Sequence, residues 1–282
     1  MDNHLTRFDA RFDLAASEDS APIFLLSAGW RSGSTLLQRL LCSTGEALVW
    51  GEPYGRAGLI PSLTRASMAL RPEWPTEMHF AEPSHDDLVG GWIANLYPPP
   101  QALRDSFRAQ LDTLFALPAQ ARGFTRWGLK EVRLQAMDAR FLSWVYPQAR
   151  FIFLVRNPWD AWSSAKGLPL YEQWPNRPIQ TAEHFGKHWA KLTRSFLQWP
   201  SDSGLLVRYE DLIQPGFDLG QISTHCGLRD LDPGPLAVKI RGVRKPPSLL
   251  DAHDTAIIAQ SCAQLAEMLG YQGPEAERSA TA

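Results

Sequence analysis

At 282 residues with 44% hydrophobic side chains, the chain has enough apolar material for one large core and reads as a single α/β domain better than as two small ones. A formal net charge of -2 and a pI of about 6.4 give no global positive field, which argues against nucleic acid or another polyanion recognised by charge alone. Cys42, Cys226 and Cys262 are widely spaced and form no CxxC pair, so neither a disulfide framework nor a zinc site is expected, and a reducing, cytoplasmic compartment is.

In chain order, residues 1–21 hold Asp2, Asp9, Asp13, Glu18 and Asp19 without a long apolar run, and are expected to be a polar, flexible leader rather than a signal peptide. No membrane span is expected anywhere. The run IFLLSAGWRSGSTLLQRLL, Ile23 to Leu41, then joins a buried strand at Ile23 to Leu26 to a helix whose Leu36, Leu37, Leu40 and Leu41 share one face. The turn between them carries Gly29 and Gly33, the cation Arg31 and the hydroxyls of Ser32, Ser34 and Thr35. A small-residue turn that feeds a helix N-terminus presents free N–H groups and a positive dipole end, which is a cradle for phosphate. It is not a Walker A loop, because Gly33 is followed by Ser34 and no GK[ST] lysine is present.

The stretch from Glu52 to Arg122 shows helical patterns at Asp86 to Leu96 and Gln101 to Leu117, separated by Pro98, Pro99 and Pro100, and a helical insertion over about 56–122 is expected to cap the site. The α/β alternation resumes with a strand near Phe124 to Leu129, a helix around Gln135 to Val145 and a strong strand from Phe151 to Val155. A helix is expected from near Trp159. A longer one is capped by Thr181 and carries a core stripe of Phe185, Trp189, Leu192 and Phe196. Gly204 to Val207 reads as the last strand. Ile258, Cys262, Leu265 and Leu269 mark a final helix stopped by Gly270, and 273–282 reads as a flexible tail. Residues 22–272 are thus expected to form a P-loop-like, mostly parallel sheet with helices on both faces, its ligand lying at the carboxyl ends of the strands.

Three more segments carry chemistry. In FIFLVRNPWDAWSSAKG, Arg156 leaves a buried strand and Ser164 follows on the next helix, so a guanidinium and a hydroxyl can converge on one phosphate. In LLVRYEDL, Tyr209 stands at a strand-to-helix junction, either as core or as a wall for a base. Near the C-terminus RGVRKPPS places Arg241, Arg244, Lys245 and Ser248 in a basic loop.

The loop around Arg31 resembles the 5′-phosphosulfate loop of sulfotransferases that use 3′-phosphoadenosine 5′-phosphosulfate (PAPS), with Trp30 where proline is usual. Arg156 and Ser164, eight positions apart, are similar to the family's 3′-phosphate motif. The resemblance extends in motif order from Pro22 to Ser248 and is nearest to the tyrosylprotein and Golgi-like branch, which uses a glutamate base. It implies that Arg31, Ser32, Gly33, Ser34, Thr35, Arg156, Ser164, Tyr209, Arg244 and Lys245 hold the nucleotide. It also implies that Glu52 in WGEPYG is the general base and that Lys130 in WGLKEVR, with Arg31, steadies the transferring group. The implied reaction moves a sulfuryl group to a hydroxyl of a saccharide, small molecule or peptide and releases adenosine 3′,5′-bisphosphate (PAP), with no metal required.

Glu131 competes with Glu52 for the role of base but should face the other side of its strand. His184 and His188 lie one helical turn apart without an evident third ligand and read as structural or surface residues. Trp50, Trp74 and Trp174 fall in connections and read as packing or as the lining of an acceptor cleft. A P-loop kinase, which would need magnesium and the missing lysine, and a non-catalytic nucleotide-binding scaffold are the rival readings.

Overall fold

The computed structural model describes residues 21–54, 57–70, 78–166, 179–199, 202–238 and 250–274, together with isolated positions elsewhere. Five strands, β1 (Ile23–Ser27), β2 (Ala47–Trp50), β3 (Arg126–Glu131), β4 (Arg150–Val155) and β5 (Gly204–Arg208), form one sheet in the order β2-β3-β1-β4-β5. Every pairing is parallel, with Leu25 beside Lys130 and Ile152, and Leu154 beside Val207. All five carboxyl ends therefore open on the same edge.

The apolar runs of β1 and β4 are buried on both sides, as a parallel sheet requires. Phe24, Leu26, Phe151, Phe153 and Val155 enter one core and Ile23, Leu25, Ile152 and Leu154 the other. The first core is covered by α3 (Pro100–Leu111), α4 (Ala136–Val145), α5 (Pro158–Ala165), α6 (Ala182–Leu197) and α8 (Ala252–Met268), with aromatic contacts such as Phe153 to Phe196 at 4.7 Å. The second is covered by Leu37, Leu40 and Leu41 of α1 (Ser34–Cys42) and by Ile222 and Cys226 of α7 (Gly220–Cys226). Leu5 is also buried in the first core. Among the described residues no helix is long and apolar enough to cross a membrane.

The segment between β2 and β3 departs from the sequence expectation. Ala47–Trp50 is a strand, unmarked in the sequence reading because four residues offer too short a pattern, and α2 (Leu59–Ser67) precedes the expected helices. The pattern at Asp86 to Leu96 is broken at Gly90 and Gly91 into a short helix, His85–Gly90, and a 3-10 turn, Ile93–Asn95, none of whose residues is buried. α3 runs on through a π turn, Asp112–Ala116, into Leu117–Gln120. Pro118 cannot donate a hydrogen bond and its ring would press on the carbonyl four residues back, a conflict that the wider π turn absorbs. β3 begins two residues later than expected, because the Phe124 amide closes the preceding helix by donating to the Ala119 carbonyl.

Candidate active site

The turn after β1 is built to expose backbone N–H groups. Ser27 Oγ donates to the Gly29 carbonyl at 3.1 Å, and Gly29, Arg31 and Gly33 all adopt positive φ, at 91°, 59° and 88°. Left-handed residues alternating along a turn converge their N–H groups into an anion-binding concavity, and Arg31 bears a backbone cost of order 1–2 kcal/mol to be there. Gly33 is the N-cap of α1 and supplies no side-chain cap, so the first amides of that helix face the loop. The Tyr209 ring lies directly on Gly33, where a Cβ would come within 2.1 Å of Cδ2. Ser32 is 1% exposed, and its Oγ has no hydrogen-bond partner among the described residues. A buried, unsatisfied hydroxyl in a concavity of amides fits an anionic oxygen acceptor.

The neighbouring strand ends close on this loop. Arg156, just past β4, donates from Nη1 to the Arg31 carbonyl at 2.7 Å and holds its guanidinium 4.6 Å from the centre of the Tyr209 ring. Arg31 in turn donates from Nε to Ser164 Oγ at 2.9 Å. The sequence-predicted residues of the two phosphate motifs thus form one cluster. Asn157 caps α5, accepting from the Trp159 amide at 3.0 Å, while its own amide donates to Glu210 Oε1 at 2.9 Å. Trp189 Nε1 donates to the Arg156 carbonyl at 3.0 Å.

At the other side of the same edge, Glu52 follows β2 and Lys130 is the penultimate residue of β3. Lys130 Nζ donates to Glu52 Oε1 at 2.6 Å, with the lysine side chain 8% exposed and the glutamate 26%. Glu131 pairs instead with Arg133, whose Nη2 donates to Oε2 at 3.1 Å. Burial raises the Glu131 carboxyl to about 7 against the opposing pull of Arg133. Each strand end contributes one candidate: Glu52, Lys130, the Arg31 loop, Arg156 and Tyr209.

Arg241, Arg244, Lys245, Ser248, Trp74 and Trp174 lie outside the described residues. Trp50 is a packing residue, its Nε1 donating to the Phe115 carbonyl at 3.1 Å. Thr181 caps α6 by accepting from the His184 amide, and the His188 ring stacks on Trp30 with centroids 5.7 Å apart. Among the described residues no group of three or more His, Cys, Asp or Glu side chains could hold a metal ion. Sequence reasoning missed Trp189, whose stripe position marks only its ring as core, and Glu210, whose role depends on a partner 53 residues away.

The fold and loop define a P-loop-like α/β protein whose glycine-bearing turn lies at the carboxyl end of its central strand. The chain belongs to the sulfotransferase family, whose model matches residues 22–233. The sulfotransferase domain from the curacin biosynthetic pathway shares the fold at a TM-score of 0.51 and 17% identity, covering 92% of this chain and 100% of that one. The sulfotransferase domain of the Synechococcus PCC 7002 olefin synthase is 21% identical over 92% of this chain and 98% of its own, with a TM-score of 0.48. A sulfotransferase from Alicyclobacillus acidocaldarius is 16% identical over 92% and 98%, with a TM-score of 0.43. No curated protein sequence matches the chain.

Proposed function

We propose that this sulfotransferase takes its sulfuryl group from PAPS, passes it to a hydroxyl of a saccharide, small molecule or peptide, and releases PAP. The observation that carries this reading is the cluster of Arg31, Arg156 and Ser164 beside a loop whose Ser32 hydroxyl is buried and unpartnered among the described residues, with the Glu52–Lys130 pair on the same sheet edge. Ser32, Gly33, Ser34 and Thr35 hold the 5′ side through the loop amides and hydroxyls. Arg156 and Ser164 hold the 3′-phosphate and Tyr209 borders the base; the resemblance adds Arg244 and Lys245, which lie outside the described residues, as further nucleotide ligands.

PAPS supplies a sulfuryl group whose bond to the phosphate oxygen breaks as the acceptor oxygen bonds to sulfur. Glu52 takes the acceptor hydroxyl proton, and Lys130 and Arg31 meet the charge that grows on the departing oxygen. The contact between Lys130 and Glu52 keeps the carboxylate at the ligand edge until an acceptor arrives. The widely spaced thiols support a reducing, cytoplasmic setting, with burial pushing Cys226 and Cys262 up to about 12 and leaving them poor nucleophiles. The choice between saccharide, small-molecule and peptide acceptors is tested by incubating the protein with sulfur-labelled PAPS and fractionated host extract in the presence of a chelator. Label transfer with PAP release is expected. Magnesium-dependent transfer of phosphate from a nucleoside triphosphate, in place of PAP release, would favour the kinase-like rival, and bound PAPS that is never consumed would favour a scaffold.

A further inference from the structure

We infer that α6 clamps the two halves of the nucleotide site at a fixed separation, with His188 positioning the phosphosulfate loop and Trp189 positioning Arg156. The inference rests on the PAPS reading above and assigns roles to two consecutive residues of a helix to which that reading gives none. The His188 ring is stacked on Trp30 at an interplanar angle of 29°, and a Cβ built on Gly29 would lie 3.7 Å from His188 Cδ2, so this ring bears on two residues of the loop. One position on, Trp189 is fully buried and its indole N–H holds the Arg156 carbonyl at 3.0 Å.

The helix is well anchored for such a task. Thr181 caps it, Phe185 packs on Trp162 of α5 at 5.4 Å, and Cys262 Sγ of α8 donates to the Gly186 carbonyl at 3.3 Å. Trp30 also occupies the position where the resembled motif has proline. A proline ring restrains its own φ, whereas a tryptophan does not, and the stack on His188 supplies an external restraint in its place. Helix, loop and strand end form a closed circuit, because Arg156 Nη1 also reaches the Arg31 carbonyl.

The circuit is tested by calorimetric titration of PAP and of adenosine 5′-monophosphate, which lacks the 3′-phosphate, into the full chain. His188→Ala is expected to weaken both ligands by about tenfold, within the range for a lost aromatic pair, and His188→Phe to restore most of the loss. Trp189→Phe keeps the ring but removes the donor. It is expected to weaken PAP by about fivefold, the value of one hydrogen bond, while leaving the monophosphate within about twofold. Comparing two ligands on the same variant separates positioning from a general loss of folding. Trp30→Ala combined with His188→Ala should cost no more than the larger single change. Equal losses of both ligands in Trp189→Phe, no rescue by His188→Phe, or additive effects of Trp30→Ala and His188→Ala would overturn the clamp while leaving the donor reading intact. A wild-type protein that binds neither ligand would overturn the donor reading and the clamp with it.

Discussion

Arg31 Nε donates to Ser164 Oγ at 2.9 Å across 133 residues of chain, joining the loop after β1 to the helix after β4. The loop cation and the helix hydroxyl are thus held against each other, and a nucleotide bound as proposed would exchange this internal hydrogen bond for contacts to its phosphates. Arg156 stands on the same cluster through the Arg31 carbonyl and the Tyr209 ring.

Removing a guanidinium from a phosphate contact in a partly dry site costs on the order of 1.5–3 kcal/mol. Arg31→Ala and Arg156→Ala are each expected to weaken PAP by about that much in calorimetry. For Arg156→Ala the penalty should vanish with a ligand that lacks the 3′-phosphate. The same loss with both ligands would remove Arg156 from that phosphate.

Gly33 combines a φ of 88° with the Tyr209 ring lying where its Cβ would be. Gly33→Ala is expected to abolish measurable PAP binding, and Gly33→Ala with Tyr209→Ala to recover only part of it, since the backbone still bears about 1 kcal/mol or more of strain. Full recovery in the double variant would show that the ring contact alone requires glycine here.

Lys130→Ala should lower kcat by more than it raises the PAP dissociation constant, the result expected of its proposed role in meeting charge that develops only during transfer. Steady-state kinetics beside equilibrium binding gives the comparison. Wild-type kcat at saturating substrates would make Lys130 a structural strand-end residue.

Glu131 sets a pH dependence of stability distinct from that of catalysis. Its folded-state value of about 7 lies above the ordinary 4.5, so its contribution is fully present below about 4.5 and is lost as pH rises through about 7. Between pH 5 and pH 8 the wild type should lose on the order of 2–3 kcal/mol that Glu131→Gln does not lose. Denaturant midpoints for both proteins at the two pH values provide the check, and parallel losses would contradict it.

Much of this architecture is legible in the sequence because parallel strands are apolar on both faces and the phosphate loop needs small residues in order. β1, β4, β5 and the helices capped by Thr181 and stopped by Gly270 fall where pattern and punctuation put them. β2 was not legible, because Ala47–Trp50 is defined by its pairing with β3 rather than by any run of its own. The site divides in the same way. Arg31, Arg156 and Ser164 were readable from motif spacing, and their convergence is now a set of distances. The bonds of Trp189 to the Arg156 carbonyl and of Glu210 to the Asn157 amide were not readable, since a core stripe reveals which residue is buried and not where its polar tip points.

Whether Glu52 takes the acceptor proton, as proposed, is read from the turnover of Glu52→Gln, which keeps the shape of the side chain and removes its basicity. A positioned general base contributes about 100- to 10,000-fold, so PAP release in the presence of acceptor should fall by at least the lower figure while PAPS binding and the melting temperature stay close to wild type. Near-wild-type turnover by Glu52→Gln, with turnover lost instead on substitution of Glu131 or His184 in a folded protein, would place the base elsewhere.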